Sequence, residues 1–200
     1  MIYPIARLKA NSEGRESVSS HGPLQHLVDC HDRIEERLQT LERVISHLRS
    51  DSEEKRREAR EALDGALDFL NTMGALHTQD EEESVFPRLF ARAGDQDPTL
   101  SELTTMLVAQ HREKEAVLHK LLGLVAAFPP VPGAPSEQHA RVFEGLVAQI
   151  ADLYRPHIMV ENQRLIPMSA DYLTPADLDL IREEMRARRN LIQHRRQVAL

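Results

Sequence analysis

The sequence predicts an all-α fold: an antiparallel up-down-up-down four-helix bundle with an additional short C-terminal helix. Apolar residues recur at steps of three and four through four long segments, which is the spacing of a buried helix face. Short connections join these segments, and such connections place consecutive helices side by side in opposite directions. Aromatic residues make up only 4% of the 200 residues and Trp is absent, so a core of Leu, Val, Ile and Ala is expected. That composition suits helices better than a β-sandwich.

The first two helices are predicted over residues 23–48 and 51–86. Both carry an apolar stripe at helical spacing. Ser50 and Glu53 have the spacing of a capping box at the start of the second helix. Pro87 is predicted to end that helix, because proline lacks the backbone N–H that continues the hydrogen-bond ladder.

The third and fourth helices are separated by the clearest loop in the chain, the Pro-rich run 128–135. The third helix is predicted to begin at Pro98, with Asp97 as its N-cap. The fourth is predicted over residues 136–166. It contains Pro156, which removes one backbone hydrogen bond and is expected to kink the helix.

The length predicts one domain with flanking segments. Residues 1–20 are predicted to be a loosely ordered arm, residues 21–170 the four-helix bundle, and residues 171–200 a C-terminal helix and tail. The fifth helix is predicted over residues 174–190. Basic residues gather there, and two interpretations stay open: a solvated helix face or a docking patch for a protein partner. The residues are Arg182, Arg186, Arg188, Arg189, Arg195 and Arg196.

Charge and cysteine content narrow the functional classes. The formal net charge of −7 argues against a protein that acts mainly on nucleic acid or on an anionic membrane. Cys30 is the single cysteine, which excludes an internal disulfide and a Cys-based zinc site. No segment approaches the length of a membrane span, and residues 1–20 lack a signal-peptide core. A cytoplasmic monomer or homodimer is expected.

The most informative pattern is His-x-x-x-Glu, which occurs once in each of the four long segments. A spacing of four places both side chains on one face of a helix. In an up-down bundle the four histidines reach a similar level, within roughly 7.5 Å along the axis at the α-helical rise per residue. The pairs are His31 with Glu35, His77 with Glu81, His111 with Glu115, and His157 with Glu161.

Carboxylates buried among leucines need compensating positive charge, and a dinuclear metal centre would supply it. Imidazole and carboxylate ligands suit Fe, Mn or Zn, and two metals that share carboxylates inside a four-helix bundle point to iron. The commoner ferritin-like motif is Glu-x-x-His, in the reverse order and at spacing three. Glu82 and Glu83 lie off the stripe, in solvent or in outer contact with the site. Tyr154 packs in the core or approaches the metal pocket.

Over about residues 24–169 the chain resembles the hemerythrin-like, or HHE cation-binding, domain family. The segments that carry the resemblance are Cys-His31-Asp-Arg-Ile-Glu-Glu, His77-Thr-Gln-Asp-Glu81-Glu-Glu-Ser-Val-Phe-Pro, Gln-His111-Arg-Glu-Lys-Glu115 and His157-Ile-Met-Val-Glu161-Asn-Gln-Arg-Leu-Ile-Pro. Their order and spacing agree with the family.

The resemblance implies two iron ions in an oxo- or hydroxo-bridged di-iron centre. It implies that His31, His77, His111 and His157 are terminal ligands and that Glu81 and Glu161 bridge the ions. Glu35 and Glu115 are additional ligands or, as favoured here, residues in outer contact with the site.

Two departures from the oxygen-carrying members count against reversible oxygen carriage. Those members have a second His four residues after the helix-three His, where this chain has Glu115. They have Asp five residues after the helix-four His, where this chain has Glu161 at four.

The function predicted first is binding of, or reaction with, a small ligand in sensing, storage or stress protection. Oxygen, nitric oxide and peroxide are the candidate ligands. The alternative is a di-iron redox enzyme or repair factor that detoxifies peroxide or nitric oxide or donates iron to iron–sulfur clusters. A regulatory protein with a docking C-terminal helix and a metal-free bundle are weaker hypotheses. No particular substrate turnover is predicted.

Overall fold

A computed structural model describes residues 22–93 and 97–198, and this part of the chain forms five helices and no strand. The predicted N-terminal arm, residues 1–20, lies outside the described residues. No described helix has the length and apolar character needed to cross a membrane. Helix α1 spans Pro23–Leu48, α3 spans Pro98–Ala126 and α5 spans Pro175–Val198. Helix α2 is continuous through five segments, Glu53–Phe69, Leu70–Gly74, Ala75–Gln79, Asp80–Val85 and Phe86–Ala93. Helix α4 is continuous through three, Glu137–Val160, Glu161–Leu165 and Ile166–Tyr172.

The helix starts follow local capping rules. Asp97 caps α3 as predicted, with its carboxylate accepting the Thr99 N–H. The predicted capping box of Ser50 with Glu53 is wrong. Ser52, which has extended backbone geometry directly before α2, accepts the Lys55 N–H instead. Position relative to the first helical residue, and not the spacing motif alone, decides which serine caps the helix.

The predicted ends of the second and fourth helices are also wrong. Pro87 and Pro167 lie inside continuous helices, and α2 runs on to Ala93 while α4 runs on to Tyr172. Each proline is the second residue after a π-turn, a turn closed by hydrogen bonds between residues five apart. These π-turns are Asp80–Val85 and Glu161–Leu165.

The π-turns explain how the helices pass the prolines. The carbonyl oxygen of Glu81 accepts the N–H of Phe86, and the carbonyl oxygen of Glu161 accepts the N–H of Ile166. A new α-helical segment therefore starts just before each proline. Proline is tolerated in the first turn of a helix, because its missing N–H has no partner to lose there.

The interior is divided into two apolar clusters. The first apolar cluster joins the C-terminal part of α1 and the N-terminal part of α2 to the C-terminal part of α3 and the N-terminal part of α4. Leu38, Leu63, Leu121, Phe143 and Ile150 are among its fully buried members. The second apolar cluster lies at the other ends of these helices and includes α5. Its members include Leu27, Leu89, Leu107, Leu165, Ile181 and Met185.

Helix α5 is attached to the bundle by arginines, and this corrects the solvated-face interpretation of two basic residues. Arg188 and Arg189 form ion pairs with Asp80, at 2.8 Å and 2.7 Å, and Asp80 is fully buried in a π-turn of α2. Arg189 is itself 4% exposed. The predicted fifth helix is longer than expected, since it continues from Pro175 to Val198.

Candidate metal centre

The structure brings together one histidine from each of α1 to α4 and two glutamates, at the level between the two apolar clusters. Each of the six side chains is at most 4% exposed. Their imidazole nitrogens and carboxylate oxygens form two groups, and within each group the possible ligand atoms lie within 4.8 Å of one another. One group is His31, His77, Glu81 and Glu161, and the other is Glu81, His111, His157 and Glu161.

The helices position these residues through a change in the step of their buried stripes. Up to the histidine, buried residues of α2 and α4 alternate between steps of three and four. From the histidine onward, one stripe of buried residues in each helix recurs at steps of four, and the first part of that stripe crosses a π-turn. The continuing stripes are His77, Glu81, Val85, Leu89 and Ala93 in α2, and His157, Glu161, Leu165 and Ser169 in α4, with Leu173 directly after the helix.

Glu161 faces all four histidines. Its Oε2 lies 3.0 Å from Nε2 of His31 and 3.9 Å from Nε2 of His77. Its Oε1 lies 2.6 Å from Nε2 of His157 and 3.8 Å from Nε2 of His111. Each carboxylate oxygen therefore serves a different histidine pair.

Glu81 has the same division between its two oxygens. Its Oε1 lies 3.7 Å from Nε2 of His77, and its Oε2 lies 3.2 Å from Nε2 of His111. The Nε2 atoms of His31 and His77 approach each other to 3.1 Å. Both candidate groups thus contain Glu81 and Glu161, and each glutamate directs one oxygen toward the His31 and His77 pair and the other toward the His111 and His157 pair.

Three of the histidine rings are oriented from outside the site. Nδ1–H of His31 donates to Asn162 Oδ1 at 2.8 Å, that of His111 to Glu82 Oε1 at 2.7 Å, and that of His157 to Gln110 Oε1 at 2.8 Å. A ring that donates from Nδ1 presents the lone pair of Nε2 inward, which is the form that binds a metal.

The electrostatics of the site favour positive charge between its two carboxylates. Burial lowers the pKa of His77 to about 3 and that of His157 to about 4, so both rings are neutral at neutral pH. Burial, followed by the nearby charge of Glu161, raises the pKa of Glu81 to about 7. Two carboxylates that share a buried site repel each other unless positive charge lies between them.

Unsatisfied polar atoms support the same conclusion. Both oxygens of Glu81, both oxygens of Glu161, and Nε2 of His111 and His157 are buried without a well-formed hydrogen bond among the described residues. Buried polar atoms are normally hydrogen-bonded or coordinated, so these atoms fit metal coordination. Neutral imidazole with carboxylate oxygen is a donor set suited to Fe, Mn or Zn.

Comparison with known families agrees with this geometry. Residues 22–169 match the family model of the hemerythrin HHE cation-binding domain. The chain belongs to this family. A comparison with curated proteins gave no match. The family membership shows that this is a cation-binding helical domain, and the two His/Glu groups are candidate positions for the cations.

Two of the four motif glutamates lie away from the centre of the HHE domain. Glu35 is partly exposed and pairs with Arg155 at 3.0 Å, and Arg155 also pairs with Glu42. Glu115 is exposed on α3. The structure brings neither of them into the two candidate groups, whereas it does place Glu82 in contact with His111.

A cavity of about 460 Å³ reaches the HHE domain's centre beside His111. Glu82, Lys114, Glu115 and Tyr154 are among its lining residues. Tyr154 therefore both belongs to the first apolar cluster and faces this cavity, so each of its two predicted positions holds in part.

Sequence reasoning missed Lys114, Asn162 and Gln110. Lys114 follows His111 by three residues, which places it on the inward face of α3, and that spacing was the available signal. Burial lowers the pKa of Lys114 to about 8, while nearby carboxylates, Glu161 foremost, act in the opposite direction. Asn162 and Gln110 each stand next to a motif residue and carry no periodic signal of their own.

Proposed function

We propose that this HHE domain holds two iron ions inside an antiparallel up-down-up-down bundle. His31 and His77 would hold one ion, and His111 and His157 the other. Glu81 and Glu161 would be shared between the ions. The observation that carries this proposal is that each shared carboxylate directs one oxygen toward each histidine pair.

The choice of iron rests on the donor set and the family. Four imidazoles and two carboxylates form a mixed nitrogen and oxygen site without thiolate, which disfavours the thiolate-rich zinc sites. When bound, two iron ions supply Lewis acidity and one-electron redox chemistry toward a small ligand. The hydrogen bonds that three rings donate to Asn162, Glu82 and Gln110 hold those rings in the orientation that such binding needs.

We further propose that a small ligand, namely oxygen, nitric oxide or peroxide, binds on the His111 side. His111 lines the cavity, and His31, His77 and His157 are not among its lining residues. The apolar clusters on either side of the site would leave the cavity beside His111 as the approach to the ions. Sensing, storage or stress protection in the cytoplasm is the proposed role.

A di-iron redox enzyme or repair factor is the second candidate. The carboxylates favour oxidised iron, and Lys114 and Tyr154 provide polar groups in the cavity beside the site. Catalytic consumption of hydrogen peroxide or nitric oxide by the loaded protein, at many turnovers per chain, would favour this candidate over simple binding.

The metal proposal is tested by loading the metal-free protein with ferrous iron under anaerobic conditions and admitting air. We expect close to two iron ions per chain by elemental analysis, together with a new near-ultraviolet absorption band from ferric iron. One tightly held zinc per chain, with no such band after iron loading, would contradict it. The double substitution of Glu81 and Glu161 by Gln should abolish both signals.

A further inference from the structure

Lys114 is a buried cation without a close anionic partner. It is 4% exposed, and no carboxylate of the described residues forms an ion pair with its Nζ. The ammonium instead lies 4.6 Å from the centre of the Tyr154 ring, in the geometry of a cation–π contact. Burying an ammonium is costly, and a single ring face compensates only part of that cost.

The position of Lys114 places its positive charge at the cavity beside the proposed centre. Lys114 lines the cavity next to His111, one helical turn further along α3, and Tyr154 lines the same cavity from α4. The carboxylates whose field acts on the ammonium are Glu161, Glu81 and Glu82. Two of these are the shared carboxylates of the proposed centre, and bound cations would neutralise them.

We propose that Lys114 selects a small monoanion, such as azide or hydroperoxide, as the ligand of the His111 side. The inference rests on the proposed function and adds a residue that discriminates between ligands by their charge. Once cations engage Glu81 and Glu161, the ammonium is left facing the cavity, where an anion of two or three atoms can accept its hydrogen bond. A charge-assisted hydrogen bond of this kind strongly favours an anion over a neutral diatomic of similar size.

The other groups along the cavity do not replace this role. Arg112, Glu115 and His119 also line it, but all three are exposed on α3, where water screens their charges. Glu82 is engaged with His111. Lys114 is therefore the cavity cation whose charge acts in a poorly solvated environment.

The test compares azide and nitric oxide binding in iron-loaded wild type, Lys114→Met and Lys114→Gln. Lys120→Met is the matched control, since it removes an exposed lysine from the same helix. Iron per chain and the denaturant midpoint of the metal-free protein are measured first. We expect both Lys114 variants to keep the wild-type iron content and to bind azide at least tenfold more weakly, or about 1.4 kcal/mol. Nitric oxide affinity of the reduced protein should change by less than about threefold, and Lys120→Met should bind both as wild type does.

Several outcomes would overturn the inference. Unchanged azide affinity in Lys114→Met and Lys114→Gln would do so, as would an equal loss for azide and nitric oxide. Loss of iron from both variants would show that the lysine serves to hold the carboxylates. A wild-type protein that holds another metal would refute the iron proposal separately, and the same azide comparison on that metal form would still decide the role of Lys114.

Discussion

The two apolar clusters on either side of the histidine level are stabilised differently. The first consists of aliphatic and aromatic side chains from α1 to α4. The second is smaller and is closed by α5, whose Arg188 and Arg189 pair with the buried Asp80 and whose Glu184 pairs with Arg88. Asp80 directly precedes Glu81. The first apolar cluster therefore stabilises the bundle by packing, whereas the second also depends on ion pairs that join α5 to the π-turn carrying Asp80 and Glu81.

The largest expected effect comes from removing a histidine from the level between the two apolar clusters. His77→Ala and His157→Ala should each lose at least one iron ion per chain, together with most of the melting-temperature gain that iron confers. The reason is that metal binding adds to folding stability when the unfolded chain has no preformed site. Elemental analysis and thermal melts with and without iron measure this.

The control for these variants is His47→Ala, because His47 is exposed near the end of α1 and lies outside both candidate groups. It should retain full iron and an unchanged melt. A His77 or His157 variant with wild-type iron and wild-type melting would remove that residue from the ligand set.

The second effect tests the attachment of α5. Asp80→Asn should lower the free energy of unfolding by about 3–5 kcal/mol, because it leaves the buried Arg189 without its counter-charge. Iron should also pass faster to a chelator. Urea unfolding gives the stability, and Asp179→Asn, which removes an exposed partner of Arg182, is the matched control. Equal stability losses in the two variants would argue against a buried clamp.

The third effect separates packing from the site. Leu38→Ala should cost about 2–5 kcal/mol, since Leu38 is fully buried in the first apolar cluster and its truncation leaves a cavity. Iron per folded chain should stay at the wild-type value. Leu191→Ala, at a side chain 60% exposed, should change stability by less than about 0.5 kcal/mol. A parallel loss of iron in Leu38→Ala would show that the two halves are not independent.

The smallest effect concerns the motif glutamate that lies at the surface. Glu35→Gln should retain all its iron and lose about 0.2–1 kcal/mol, because it weakens a partly exposed ion pair with Arg155. Arg155→Gln should behave similarly in urea unfolding. Loss of iron from Glu35→Gln alone would make Glu35 a ligand and would require a rearrangement of α1.

Much of the helical fold could be predicted, because helix periodicity is local. The first helix was predicted over residues 23–48, and α1 spans Pro23–Leu48. The level of His31, His77, His111 and His157 also followed from helix lengths and alternating directions, and the structure does bring the four rings together.

The rest depended on neighbours that the motif does not encode. All four glutamates occur at the same spacing from a histidine, yet Glu81 and Glu161 are buried at the start of π-turns while Glu35 pairs with Arg155 across the α1–α4 contact. The hydrogen-bond register of a helix is not visible in composition. Both buried glutamates share a proline six residues later in the chain, and local rules alone predict a helix end there.

A π-turn holds one residue more than the α-helical turn it replaces. Helices α2 and α4 therefore each contain one extra residue just beyond the shared glutamate. Removing a residue from such a turn would restore a regular helix and swing everything after it by about 100°. Leu89 or Leu165 would then leave the interior. Helix α4 therefore carries one such phase shift, whereas α2, which contains a further π-turn at Leu70–Gly74, carries two, so neither helix fits a single regular heptad along its length.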